Sequence, residues 1–241
     1  MANSRNIGLP YCKGDLILQT DDDARLTMLE ALRDYGFVLL RNVPDDPEVT
    51  AEIAALAGPL RVTNYGSVYD FTYQPDALVY GDLNVKLDPH CDEPYRQAPP
   101  SITCFHFVRA ASTGGASTMT DGFRLGDEMR EQDPEAFKLL STVPLTHYRR
   151  LLKTGRDFRM RAPVFSLDEE REVAGIRLND RGAGPIDADS ELVRPMLRAL
   201  RKLEEEAIAV ERDRLTAEQK TLKALSGSEA RQWTVVRKQT E

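Results

Sequence analysis

The residues of this chain best suited to chemistry are His90 and Asp92, in the run Leu87-Asp88-Pro89-His90-Cys91-Asp92-Glu93-Pro94-Tyr95. On extended backbone the side chains repeat every second residue, so a histidine and a carboxylate at this spacing point the same way. Such a pair can bind one metal ion from one side. It would supply two corners of the 2-His-1-carboxylate face used by non-haem Fe(II) oxygenases. Cys91, between them, should turn to the opposite face and pack. A third corner would have to be another histidine, and the chain offers only His106 and His147. The plain alternative is a surface histidine beside a solvated carboxylate.

Several elements are expected to position this pair. Asp22 to Tyr35 reads as a helix with Leu26, Leu29 and Leu32 on one face and Gly36 as its stop. Phe37-Val38-Leu39-Leu40 reads as a short buried strand, and Val43-Pro44-Asp45-Asp46-Pro47 leads into a second helix ending at Gly58. Tyr65 to Asp92 should be a long loop followed by the strand that bears the pair. Ile102 to Arg109 is β-branched enough for a central strand. Phe123 to Leu140 should form two helices broken at Asp133-Pro134, where Asp133 can cap and Pro134 suits a first turn. Val143 to Tyr148 and Gly175 to Asn179 follow as strands. A helix from Ser190 then carries Leu192, Val193, Met196, Leu197, Leu200, Leu203 and Ala207 at helical spacing. Taken alone, this order gives an α+β chain with an antiparallel sheet.

His90 and Asp92 do not stand by themselves. Thr63-Asn64-Tyr65-Gly66 lies upstream, Pro99-Pro100 and Thr113-Gly114-Gly115-Ala116-Ser117 downstream, and Ile176-Arg177-Leu178-Asn179-Asp180 further on. In order and spacing these motifs resemble the TauD/TfdA-type Fe(II)/2-oxoglutarate-dependent dioxygenases, and within them the gamma-butyrobetaine and trimethyllysine branch. The resemblance runs from about Asp22 to about Ala207. It implies a double-stranded β-helix, or jelly roll, with flanking helices, and it implies Fe(II) on His90 and Asp92 with 2-oxoglutarate as co-substrate. Ser117, 27 positions after His90, and its neighbour Thr118 match the hydroxyl that helps hold a 2-oxoglutarate carboxylate. Tyr65, Tyr69 and Tyr80 match aromatic positions around a trimethylammonium group, which cannot donate hydrogen bonds and is recognised through ring faces. Asn179 and Asp180 match a segment that lines the substrate pocket, although Asp180 stands where those relatives carry an amide. Arg177 or Arg181 could offset its charge. For each of these the structural alternative is a glycine turn, ordinary loop tyrosines or a surface turn. His106 is expected in a core or supporting role.

The resemblance implies a distal histidine and an arginine for the far carboxylate of 2-oxoglutarate, but no histidine occurs after His147. Residues 1–210 are therefore expected to form an incomplete dioxygenase domain that lacks its last strands. Residues 211–241 should be a helix-prone tail, packed loosely or not at all on the sheet, with only Trp233-Thr234-Val235-Val236 resembling a strand. A truncated or frame-altered product, catalytically inactive, is the alternative to an active enzyme. A net charge of −7 and a pI near 5.2 argue against nucleic acid or an anionic membrane as partner. The expected partners are dioxygen and a small-molecule substrate, with a homodimer compatible with this reading. Cys12, Cys91 and Cys104, odd in number and widely spaced, suit reduced thiols, and the start has no apolar leader. Both features point to the cytoplasm.

Overall fold

The computed structural model describes residues 22–40, 43–44, 46–70, 75–76, 85–107, 119–151, 154–223 and 233–237. These divide into two units. The first contains residues 1–68, 104–111 and 229–237; the second contains 69–103, 112–228 and 238–241.

In the first unit, helix α1 (Asp22–Tyr35) buries Met28, Ala31 and Leu32, one turn apart on a single face. Leu26, expected on that face, is 56% exposed, so the buried stripe is rotated from the one its leucines suggested. Gly36, at φ +77°, ends the helix by donating its N–H to the Leu32 carbonyl at 3.0 Å. An L side chain is disfavoured in that left-handed conformation. Strand β1 (Phe37–Leu40) follows at once, with Val38 and Leu40 buried, and helix α2 (Val49–Ala57) buries Ile53. The sheet has the order β1, β7 (Trp233–Arg237), β2 (Ile102–His106). Strand β7 runs antiparallel to β1, from Phe37 opposite Val236 to Leu40 opposite Trp233. Residues 233–237, the strand-like run of the tail, are thus the middle strand of this sheet, against the expectation that the tail packs loosely or not at all on it.

The second unit carries the longer helices. Asp121 caps α3 (Gly122–Gln132) by accepting from the Phe123 and Arg124 N–H groups at 3.0 and 3.1 Å. Asp133 ends that helix and caps α4 (Pro134–Thr142), accepting from the Ala136 N–H at 3.1 Å, and Pro134 occupies its first turn. The break expected at Asp133-Pro134 is therefore present. A hairpin joins β3 (Leu145–Leu151) to β4 (Arg156–Ala162), with Leu145 opposite Ala162 and Leu151 opposite Arg156. A second pair is formed by β5 (Phe165–Leu167) and β6 (Val173–Ile176). Helix α5 spans Ser190–Lys223, so the helix starting at Ser190 continues into the stretch expected to be helix-prone. It buries Met196, Ala199, Leu203 and Ala207, while Leu192 and Leu197 of the expected stripe are 36% and 53% exposed. Met129, Leu140, Val164, Phe165, Met196 and Leu203 are fully buried together in one core. Gly126 lets α3 approach this core, since a Cβ there would lie 2.9 Å from Val173 Cγ2 and 3.1 Å from Phe165 Cε1. The described strands thus form sheets of three, two and two strands beside five helices, an α+β architecture.

Candidate metal centre

Residues 85–101 contain no helix or strand, so His90 and Asp92 sit on irregular backbone and not on the regular strand expected for them. The alternation survives locally. Cys91 is buried, its N–H donating to the Leu178 carbonyl at 2.6 Å and its thiol to the Ile176 carbonyl at 3.3 Å. His90 and Asp92 turn the other way, with Nε2 of the histidine 3.4 Å from Oδ1 of the carboxylate. The second ring nitrogen, Nδ1, lies 2.7 Å from the Asp88 carbonyl. A carbonyl only accepts, so Nδ1 donates to it, and Nε2 is the ring nitrogen turned to the carboxylate. This is the arrangement of a metal-binding imidazole, whose far nitrogen is commonly fixed by a backbone carbonyl.

A carboxylate and an imidazole lone pair are a proper donor pair for Fe(II), and their spacing suits two neighbouring corners of one coordination sphere. The third corner is another matter. Among the described residues no group of three His, Cys, Asp or Glu side chains could hold a metal ion. His106, in the first unit, has its Nδ1 2.6 Å from Thr50 Oγ1. His147, in the second, is 1% exposed on β3. Burial, and after it the Arg177 charge, push its pKa down to about 4, so it is neutral at pH 7. The residues present thus fit two corners of the face.

A family model described as "Taurine catabolism dioxygenase TauD, TfdA family" matches residues 9–213. The chain belongs to that family. It is 32% identical over 187 residues to gamma-butyrobetaine dioxygenase of Pseudomonas sp. (strain AK-1), covering 78% of this chain and 48% of the relative. It is 35% identical over 113 residues to mitochondrial trimethyllysine dioxygenase of Homo sapiens, covering 47% and 27%. Gamma-butyrobetaine dioxygenase of Homo sapiens is 27% identical over 197 residues, covering 80% and 50%. The chain spans about half the length of the gamma-butyrobetaine relatives it matches.

In this TauD/TfdA chain the structure brings Asn179 to the loop of His90 and Asp92, since its Nδ2 donates to the Cys91 carbonyl at 3.1 Å. Asp180 follows in a 3-10 turn, with its Oδ1 2.8 Å from the Arg181 N–H and 3.9 Å from Arg181 Nε. Arg181 is thus the arginine placed to offset its charge. Burial raises the Glu204 carboxyl, with Asp180 and Asp88 adding to it and Arg201 opposing. Tyr65 lies half-buried in the Thr63–Gly66 turn of the first unit, and Tyr69, 37% exposed, belongs to the second. Tyr80, Ser117 and Thr118 lie outside the described residues.

Sequence reasoning missed the residues that fix the loop after Asp92. Arg177 Nη1 donates to the carbonyls of Pro94 and Arg96 at 3.0 and 2.8 Å, and Nη2 to that of Gln97 at 2.8 Å. Glu93 accepts at Oε1 from Arg96 Nη2 at 2.7 Å and from the Tyr95 hydroxyl at 3.0 Å. The Arg96 guanidinium also lies over the rings of Tyr95 and Phe158, 5.5 and 5.2 Å from their centres. Backbone acceptors are the same for every residue type, so the Arg177 contacts left no trace in the sequence. The Glu93/Arg96 spacing of three was a visible pairing signal. Among the described residues no helix is long and apolar enough to cross a membrane.

Proposed function

We propose that this chain is an Fe(II)/2-oxoglutarate-dependent dioxygenase that hydroxylates a small trimethylammonium compound such as gamma-butyrobetaine. The observation that carries the reading is the His90–Asp92 pair, with Nδ1 tied to the Asp88 carbonyl and Nε2 held 3.4 Å from the carboxylate. When bound, iron with 2-oxoglutarate and dioxygen supplies the oxidation: one oxygen atom goes to the substrate C–H bond and the other to succinate, with release of CO2. The protein's share is to hold the Asp92 carboxylate beside the His90 imidazole and to keep both on one side of the backbone. Ser117 and Thr118 would donate to a 2-oxoglutarate carboxylate. Tyr65, Tyr69 and Tyr80 would face the quaternary ammonium, and Asn179 and Asp180 would line the pocket. In this reading residues 1–210 form the dioxygenase domain, with its strands parts of a jelly roll, and 211–241 are a divergent tail. The acidic composition and the reduced thiols Cys91 and Cys104 suit a cytoplasmic protein.

A second reading, a non-catalytic family member that keeps the scaffold, is favoured by one observation. Among the described residues His90 and Asp92 find no third donor. Succinate formation from 2-oxoglutarate with Fe(II) separates the two readings. The active reading expects turnover stimulated by a trimethylammonium compound over its primary-amine analogue, with Tyr65→Ala erasing most of that preference. Equal stimulation by both amines contradicts the aromatic cage, and no succinate under any condition favours the non-catalytic member.

A further inference from the structure

The loop that carries His90 and Asp92 is held from one direction. Residues 176–179 supply four of its restraints: the Ile176 carbonyl takes the Cys91 thiol, and the Leu178 carbonyl takes the Cys91 N–H. The Asn179 amide donates to the Cys91 carbonyl, and the Arg177 guanidinium spans the carbonyls of Pro94, Arg96 and Gln97. The Arg177 backbone is itself anchored, its N–H donating at 2.8 Å to the carbonyl of Val164, a fully buried core residue. Among the described residues Arg177 makes no ion pair. Its hydrogen bonds go to main-chain oxygens, and burial lowers its pKa. An arginine half-buried without a carboxylate partner is an expensive way to hold a loop.

The loop needs that hold. Immediately after Asp92, Glu93 adopts φ +48°, a left-handed conformation that L residues with long side chains rarely take. Its carboxylate is drawn aside by Arg96 and Tyr95, which leaves Asp92 as the carboxylate beside His90. If the carbonyls of 94, 96 and 97 lost their donor, the Glu93 turn could relax toward ordinary backbone. Asp92, one residue upstream, would move with it, away from its 3.4 Å station at Nε2.

We propose that Arg177 is a positioning residue for the metal pair. It acts through the carbonyls of Pro94, Arg96 and Gln97 to fix the turn that aims Asp92 at the site of His90. The inference rests on the proposed metal site, and its class is that of supporting contacts whose loss weakens metal binding by roughly 10–100-fold. Arg177→Lys is the informative change, because it keeps the charge and the stem but replaces a fork with a single nitrogen that cannot span three carbonyls. Arg159→Lys, at an exposed ion pair with Asp157, is the control.

The test titrates the full chain with Co(II), followed by calorimetry and by the visible absorption of the bound ion, for wild type and both variants. Hydrogen exchange is then measured by mass spectrometry. Arg177→Lys is expected to weaken Co(II) binding at least about 10-fold and to alter its absorption. Exchange should quicken over residues 91–97 while α3 and α4 stay protected, and Arg159→Lys should match wild type throughout. Co(II) affinity within about twofold of wild type overturns the positioning role. So does faster exchange across α3, α4 and α5 together, which would make Arg177 a general brace of the second unit. Failure of the wild-type chain to bind Co(II) at all is a different result, because it overturns the metal site itself.

Discussion

Acid should weaken this protein through one residue in the core of the second unit. His147 is 1% exposed on β3, and its Nδ1 makes no hydrogen bond to any described group. Burial and the Arg177 charge lower its pKa from 6.5 to about 4. In the unfolded chain the imidazole takes up a proton near pH 6.5; in the folded chain it resists until about pH 4. Between those values the unfolded state binds more protons, so stability rises with pH across the window. The contribution is fully present above about pH 6.5 and is lost as pH falls toward 4. With each pKa unit equivalent to 1.36 kcal/mol, the whole window is on the order of 3 kcal/mol. That is a large share of the roughly 5–15 kcal/mol that holds a typical domain folded. His147→Leu removes the titrating group together with a buried polar atom that lacks a partner, so at pH 7.5 it should be neutral or stabilising. Urea unfolding midpoints from pH 4.5 to 7.5 then give the comparison. Carboxylates titrate in both proteins, so the difference between the two slopes isolates the histidine. Wild type should lose up to about 1.4 kcal/mol more per pH unit than the variant in mid-window. Parallel slopes, or an imidazole seen by NMR to titrate near 6.5, would refute the reasoning.

Gly126→Ala should lower stability by about 1–3 kcal/mol, because the added methyl meets Val173 Cγ2 at 2.9 Å within a packed core; an unchanged urea midpoint would contradict the close approach of α3. Deleting residues 224–241 removes the middle strand of the first unit's sheet, so the melting temperature should fall by more than about 5 °C. An unaltered melting curve would restore the sequence-based expectation of a tail that the sheet does not need.

What the sequence made legible was whatever depends on local chemistry. Asp133-Pro134 specified a helix break with a capping carboxylate and a proline in the next first turn, and both are where they were expected. Gly36 specified the end of α1, because few other residues tolerate its φ. The His-x-Asp spacing specified two side chains on one side of the backbone, and that holds although the backbone is not a regular strand. Strand β4 was missed, yet Phe158, Met160 and Ala162 alternate along it with charged residues between. The arginines mask a period-two pattern. Leu26 was misplaced for a different reason. Hydrophobicity marks a candidate for burial, but packing decided in favour of Met28 and Ala31. Arg177 could not have been found at all, since it grips carbonyl oxygens 80 or more residues back along the chain. The strand at Trp233–Val236 was legible from its residues, whereas its place beside β1 depends on a partner strand nearly 200 residues away.

The central claim is that His90 and Asp92 together hold a metal ion, and anaerobic Fe(II) titration of the full chain tests it most directly. Wild type should bind one equivalent. His90→Ala and Asp92→Ala should each abolish that binding, while far-ultraviolet circular dichroism stays unchanged. The side chains are only partly buried, at 22% and 38% exposure, so neither truncation empties a core site. Fe(II) binding by either variant as tight as that of wild type would contradict the account and put any metal elsewhere in the chain.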